Sequence, residues 1–175
     1  MGKPEPNFHY RLMALGYKFR DFLLPRMNVL KEAGIEPGFH VLDYGCGPGS
    51  YIGPLARLVG ESGKIYALDM HPLAIQMVQD IASRKGLRNI EIIHSHRATG
   101  LENNVIDVVL LYDTYHDLAD PDGVLAELHR VLKPSSVLSF SDHHMKKEEI
   151  LSQITKNNLF ALLREGKSTY SFSKV

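Results

Sequence analysis

The run Val41-Leu42-Asp43-Tyr44-Gly45-Cys46-Gly47-Pro48-Gly49 constrains this chain more than any other stretch. Two β-formers lead into a carboxylate, and three glycines alternate behind it. Such a run reads as a buried strand that stops abruptly at a turn, with its backbone brought very close to something. A ligand phosphate meets that description, and so does an uncharged nucleoside resting against bare backbone. The next acid after a strand-like run is Asp69, at the end of Lys64-Ile65-Tyr66-Ala67-Leu68-Asp69 and twenty residues beyond Gly49. A βαβ unit places a carboxylate at about that separation against a ribose. The dinucleotide fingerprint G-x-G-x-x-G does not fit. Its third glycine falls on Ser50 when counted from Gly45 and on Ile52 when counted from Gly47.

Away from that loop the period of the sequence alternates. Strand-like runs occur at 39–43, 64–69, 90–94, 106–111 and 137–141. Helical patterns lie between several of them, notably Pro72 to Lys85, closed by Gly86, and Pro121 to Leu132, closed before Pro134. Asp107-Val108-Val109-Leu110-Leu111 is continuously apolar after its first residue, as a strand buried on both faces requires. Alternating β and α with such strands predicts an α/β fold, a doubly wound, mostly parallel sheet with helices on both faces. After residue 145, Lys146 to Asn157 reads as a helix, and Leu159 to Leu163 with Thr169 to Phe172 as a terminal hairpin.

At 175 residues the chain is long enough to bury a real core and reads as one domain over residues 1–175. Within it, 1–35 is an N-terminal helical segment, 36–145 a ligand-binding core, and 146–175 the C-terminal helix and hairpin. Residues 1–8 hold two prolines and little to bury, and read as a tail that orders on contact. Tyr10, Leu12, Met13, Leu15, Tyr17, Phe19 and Phe22 follow, too aromatic for a disordered leader. Pro25 suits the first turn of a helix whose apolar face is Met27, Val29, Leu30 and Ala33, ending at Gly34. Twenty basic residues balance twenty acidic ones without a long run of either sign, which leaves no electrostatic case for a nucleic-acid partner. The single cysteine, Cys46, cannot form an internal disulfide, so a reduced, cytoplasmic setting is expected. No apolar run reaches membrane-spanning length, and Met1 to Pro6 lacks the apolar centre of a signal peptide.

The pattern D-x-G-x-G-x-G at residues 43–49 resembles motif I of the class I S-adenosylmethionine-dependent methyltransferases. His116-Asp117-Leu118-Ala119-Asp120-Pro121, with Leu125 to Pro134 behind it, is similar to the later part of the same family, near its quinone-biosynthesis and small-molecule branch. Together the matches span residues 39 to 142. The resemblance implies a seven-stranded sheet with an antiparallel last strand, S-adenosylmethionine as cofactor, and methyl transfer to a small-molecule acceptor. A second copy of the chain is the candidate protein partner. In the family, Asp43 lies near the methionine amino group, while Gly45, Gly47 and Gly49 let the loop approach the cofactor, with Cys46 among them. Asp69 would accept both ribose hydroxyls, and Met70 would stack on adenine or fill the core. His96 stands where relatives carry an acid for the adenine amino group, and an imidazole lone pair can accept in its place.

Resemblance also puts Leu111 to Asp117 beside the transferable methyl, with Tyr112 on the cofactor side. Ser141-Asp142-His143-His144 faces the same edge, so Asp113, His116 and His143 are the candidate catalytic residues, as a base or as the grip on an acidic acceptor. The family often places an N-terminal lid over the acceptor, the alternative to a helix packed on the sheet edge. Lys133-Pro134-Ser135-Ser136 departs from the glycine pair common at that turn, a change expected to touch stability more than function. His94 and His96 alternate onto one strand face, but two imidazoles are too few for a metal site, and no metal is expected. Cys46 lies before a helix expected to begin near Ser50, a place that lowers a thiol pKa where the sulfur is exposed. The rival readings are an NAD(P)-dependent oxidoreductase and a non-catalytic S-adenosylmethionine-binding partner subunit.

Overall fold

Runs of β-branched and aliphatic residues become the strands of one sheet, and the helical patterns between them become its two covering layers. A computed structural model describes Tyr10, Gly16 and residues 26–175. The expected tail over residues 1–8, the rest of the aromatic segment and Pro25 lie outside the described residues, as does the lid expected there. The strands are β1 (His40–Tyr44), β2 (Lys64–Asp69), β3 (Ile90–His94), β4 (Ile106–Tyr112), β5 (Leu132–Ser141), β6 (Phe160–Glu165) and β7 (Tyr170–Lys174). The helices are α1 (Met27–Glu32), α2 (Ile52–Val59), α3 (Pro72–Lys85), α4 (Pro121–Val131) and α5 (Lys147–Thr155). The seven strands lie in the order β3-β2-β1-β4-β5-β7-β6. Neighbours from β3 to β5 are parallel, and β7 runs antiparallel to both β5 and β6. This is the Rossmann-like sheet, with its one reversed strand contributed by the C-terminal hairpin.

Successive residues of a strand point to opposite faces, so each central strand feeds two cores. Leu42, Leu68, Val109 and Leu111 pack with Val124, Leu125 and Leu128 of α4 and Ile150 and Ile154 of α5. Their neighbours Val41, Ile65, Ala67, Val108 and Leu110 pack on the other face with Leu30 of α1, Leu55 of α2 and Val78 of α3. That arrangement explains why the central strands are continuously apolar. Among the described residues no helix is long and apolar enough to cross a membrane.

Helix ends follow local chemistry. At the start of α3, Pro72 occupies the first turn and the His71 ring accepts from the Leu73 amide at 3.1 Å. Its far end closes on Gly86 at φ +64°, where the Leu87 amide reaches back to the Ala82 carbonyl at 2.9 Å. α2 starts at Ile52 rather than near Ser50, because the glycine loop spends Gly45 to Tyr51 on turns. α4 stops at Val131, since β5 begins at once with Leu132.

β5 starts earlier than the apolar run 137–141 suggests. Leu132 pairs with Ile106 and Val137 with Val108, so Lys133 to Ser136 bulge out opposite the single residue Asp107. Ser135 adopts φ +63° at this turn. Asp107 secures the bulge by accepting from Lys133 Nζ at 2.6 Å and from the His40 amide at 2.8 Å. The five parallel strands thereby deliver their carboxyl ends to one edge, where doubly wound sheets bind ligands.

Candidate functional site

The loop after β1 is stitched to β2 from both sides. Leu68 O accepts from the Gly45 and Cys46 amides at 2.8 and 2.9 Å, and Asp69 Oδ2 accepts from the Gly47 amide at 2.8 Å. Asp69 Oδ1 accepts from the His71 amide, also at 2.8 Å. A carboxylate offers about four lone-pair positions. Asp69 is therefore locked in orientation and still keeps accepting capacity toward the crevice. The glycines permit this path. Gly45 stands at φ +78°, and a Cβ there would lie 2.3 Å from Thr114 Oγ1; Gly49 stands at φ +85°, and its Cβ would lie 2.7 Å from Ile81 Cδ1.

Asp43 lies beneath this loop in β1, 2% exposed, and its buried Oδ2 has no hydrogen-bond partner among the described residues. Burial, reinforced by the charge of Asp69, pushes its carboxyl from an ordinary 3.8 up to about 7. Burial also raises Asp69, and the His71 and Gly47 amides offset part of that rise. Asp43 and Asp69 are thus neighbouring buried carboxyls, one of them with an oxygen that no described residue answers, an arrangement that favours a positive group beside it.

A crevice opens above them. Its walls are Tyr44 to Pro48 with Ser50 and Tyr51, Leu68 to Met70, Ser95 and His96, and Tyr112 to Thr114 with Asp117 and Leu118. Tyr10 closes one side, its ring stacked on His71 at 4.1 Å. Of the expected cofactor residues, Gly45, Cys46, Gly47, Asp69, Met70, His96 and Tyr112 line the crevice, with Asp43 and Gly49 outside its lining. Tyr112 shares a hydrogen bond of 2.6 Å with Ser139 and meets Tyr51 edge-on at 5.2 Å, and burial pushes its phenol above its ordinary value.

One condition is not met here, and one expectation is corrected. Cys46 is 4% exposed, and burial, then the charges of Asp43 and Asp69, drives its thiol well above its ordinary value, so it has no lowered pKa. α2 begins too far along the chain to help it. The pairing of His94 with His96 also fails, because β3 ends at His94. The His94 ring turns to the Met70 carbonyl at 3.0 Å, while His96 faces the crevice.

The three acceptor-side candidates do converge, through two crossed pairs. Asp113 after β4 accepts from the His143 imidazole at 2.8 Å and from its amide at 3.1 Å. Asp142 after β5 pairs with the His116 imidazole at 2.9 Å and accepts from the His116 and His144 amides at 3.2 and 3.1 Å. Burial works to raise Asp142, but those hydrogen bonds outweigh it and hold the carboxyl below its ordinary value. Asp113 holds φ +49°, a conformation side chains seldom adopt, and its amide bonds the Ser141 carbonyl at 2.7 Å. Only Asp113 of the three lines the crevice; His116 and His143 stand behind it.

Asp142 was named in the segment facing this edge but given no role, although it follows β5 just as Asp113 follows β4. Tyr10 was likewise given no place at the crevice, because a lone aromatic far from the loop carries no sequence signal of proximity, whereas Thr114 lies in the segment expected there.

The sequence pattern of a methyltransferase domain matches residues 35–171. The chain belongs to the methyltransferase domain family. It is 30% identical over 130 residues to the demethylmenaquinone methyltransferase of Geobacillus stearothermophilus, covering 74% of this chain and 56% of that one. Over 115 residues it is 29% identical to the ubiquinone/menaquinone biosynthesis C-methyltransferase UbiE of Burkholderia vietnamiensis, covering 64% of this chain and 47% of the relative. The chain thus spans about half the length of the curated relatives it matches. A crystal structure of a SAM-dependent methyltransferase from Aquifex aeolicus superposes with a TM-score of 0.78 at 28% identity, covering 92% of this methyltransferase domain chain and 97% of that one.

Proposed function

We propose that this methyltransferase-family protein transfers a methyl group from S-adenosylmethionine to a small-molecule acceptor. The observation that carries this reading is the buried, unanswered Asp43 carboxyl beside Asp69 under the glycine loop. A ligand with an ammonium group and a ribose diol, and no phosphate, suits that pair. Asp43 would take the ammonium, and the free lone pairs of Asp69 the ribose hydroxyls. Bare backbone at Gly45 and Gly47 leaves room for the ligand, with His96 and Met70 on the adenine side. A phosphorylated ribose would meet two buried acids, which weighs against a nicotinamide dinucleotide phosphate.

Bound there, S-adenosylmethionine supplies a methyl group already activated by the sulfonium charge. The protein's work is then positioning and proton management. Tyr10 and Tyr51 narrow the crevice and Tyr112 forms part of its wall. Asp113, held in place by His143, is an acceptor-side carboxylate in the crevice wall, available to a hydroxyl of the acceptor. His116 is held between two carboxylates, one ring nitrogen 2.9 Å from Asp142 and the other 3.4 Å from Asp117, which fixes its ring at that edge. The relatives' names put quinone-type acceptors first among those to test.

Thermal or denaturant unfolding with added ligand tests the cofactor reading. S-adenosylhomocysteine at a hundred times its dissociation constant should stabilise the fold by about 2.7 kcal/mol, and NAD should do nothing comparable. Asp69→Ala should remove most of the effect. An equal shift with NAD would overturn the reading.

A further inference from the structure

Behind the crevice wall the loops after β4 and β5 gather a set of ligand-type side chains that positioning an acceptor does not require. One donor atom each from Asp113, Asp142 and His143 lies within 4.8 Å of the other two. The His143 and His144 rings are 4.0 Å apart and the His116 and His144 rings 4.1 Å apart, so three imidazoles crowd the same place. The charge there is uneven. Among the described residues, the ion pairs of Asp113, Asp142 and Asp117 go to His143 and His116, and none goes to a lysine or arginine. Neutral imidazoles bring lone pairs to such a cluster rather than positive charge.

We infer that Asp113, Asp142 and His143 form a binding site for one divalent transition-metal ion. Two carboxylate oxygens and an imidazole nitrogen suit Mn²⁺, Fe²⁺ or Zn²⁺; a thiolate-seeking ion would find no sulfur, and Mg²⁺ prefers oxygen throughout. The surroundings match what metal ligands need from their neighbours. The Asp142 side chain is 0% exposed and is oriented by the His116 ring and two backbone amides. His143 is 64% exposed and free to turn its ring from Asp113 to an ion, and His144 stands beside it as a further donor. Asp113 lines the crevice, so the ion sits at its wall. There it selects acceptors that carry a hydroxyl or carboxylate oxygen, a consequence that rests on the methyltransferase reading, whereas binding of the ion does not.

The test is a titration of the full-length, chelator-stripped protein with Mn²⁺, followed by electron paramagnetic resonance, and with Zn²⁺, followed by calorimetry. One saturable site per chain is expected, with affinity weakened about tenfold or more in both Asp113→Asn and His143→Ala. S-adenosylhomocysteine should still stabilise His143→Ala, which shows that variant to be folded and separates failure here from failure of the cofactor reading. Absence of saturable binding would overturn the inference. So would binding that survives Asp113→Asn but disappears in a His143→Ala, His144→Ala double variant, because an exposed imidazole pair alone would then hold the ion.

Discussion

Asp43 shows how one residue can belong to function at a cost to the fold. Its carboxyl rises to about 7 because burial and Asp69 both oppose its charge, and none of the described residues answers its Oδ2. A carboxyl raised in the folded state lends stability in its protonated form. That contribution is complete below the ordinary value of 3.8 and is lost as pH climbs to about 7. The ligand-free protein should therefore lose stability across that window on account of Asp43. Asp43→Asn, which stays neutral, should remove this slope. Urea unfolding of both proteins at several pH values checks it; identical slopes would show Asp43 to be answered after all. The same residue should make S-adenosylhomocysteine bind more weakly as pH falls below about 7, since the ammonium then competes with a proton.

At the scale of elements, the family-like segment from Leu125 to Pro134 proves to be structural. Glu127 of α4 receives Arg130 through two bonds of 2.8 Å, and the amide and hydroxyl of Thr99 at 2.8 and 2.6 Å, tying the helix to the loop after β3. Arg130 and Thr99 together bring its carboxyl down to about 2 against the opposing effect of burial. A depressed acid contributes stability above its ordinary 4.5 and loses it as pH falls toward 2. Glu127→Gln should cost about 1.5–3 kcal/mol near neutrality, by the usual worth of hydrogen bonds to a charged group. The gap to the parent protein should shrink through that acid window, and chemical denaturation reads both. At the β5 bulge the expected sign is opposite. Ser135 is exposed and holds φ +63°, which costs a side-chain-bearing residue about 1–2 kcal/mol. Ser135→Gly should raise stability by up to about 1 kcal/mol, part of the strain relief being offset by the freer unfolded chain. A loss of stability would mean that the serine hydroxyl holds the turn.

For the whole molecule, β1 and β4 each feed both cores, which couples the two faces of the sheet. Leu42→Ala on one face and Leu110→Ala on the other should each cost about 2–5 kcal/mol. Each variant should still unfold in one transition, with fluorescence and circular dichroism coincident; a split transition would show that the faces melt separately. Much of this architecture was legible in the chain itself. Short, β-branched apolar runs bounded by turn residues read as strands buried on both sides, Gly86 can close a helix with a left-handed turn, and the glycine spacing of Asp43 to Gly49 reads as a strand that stops at a tight loop. These are local consequences of side-chain periodicity and backbone sterics, and they required no knowledge of distant residues. The tertiary structure alone decided whatever depends on which strand lies beside which. Burial of Cys46, the absorption of Lys133 to Ser136 into a bulge opposite Asp107, and the closeness of Tyr10 to His71 arise from packing between segments far apart in sequence. The crossed pairs Asp113–His143 and Asp142–His116 have the same origin. Each histidine finds its carboxylate across the β4–β5 boundary because the sheet sets those two strand ends side by side, a proximity that sequence spacing does not encode.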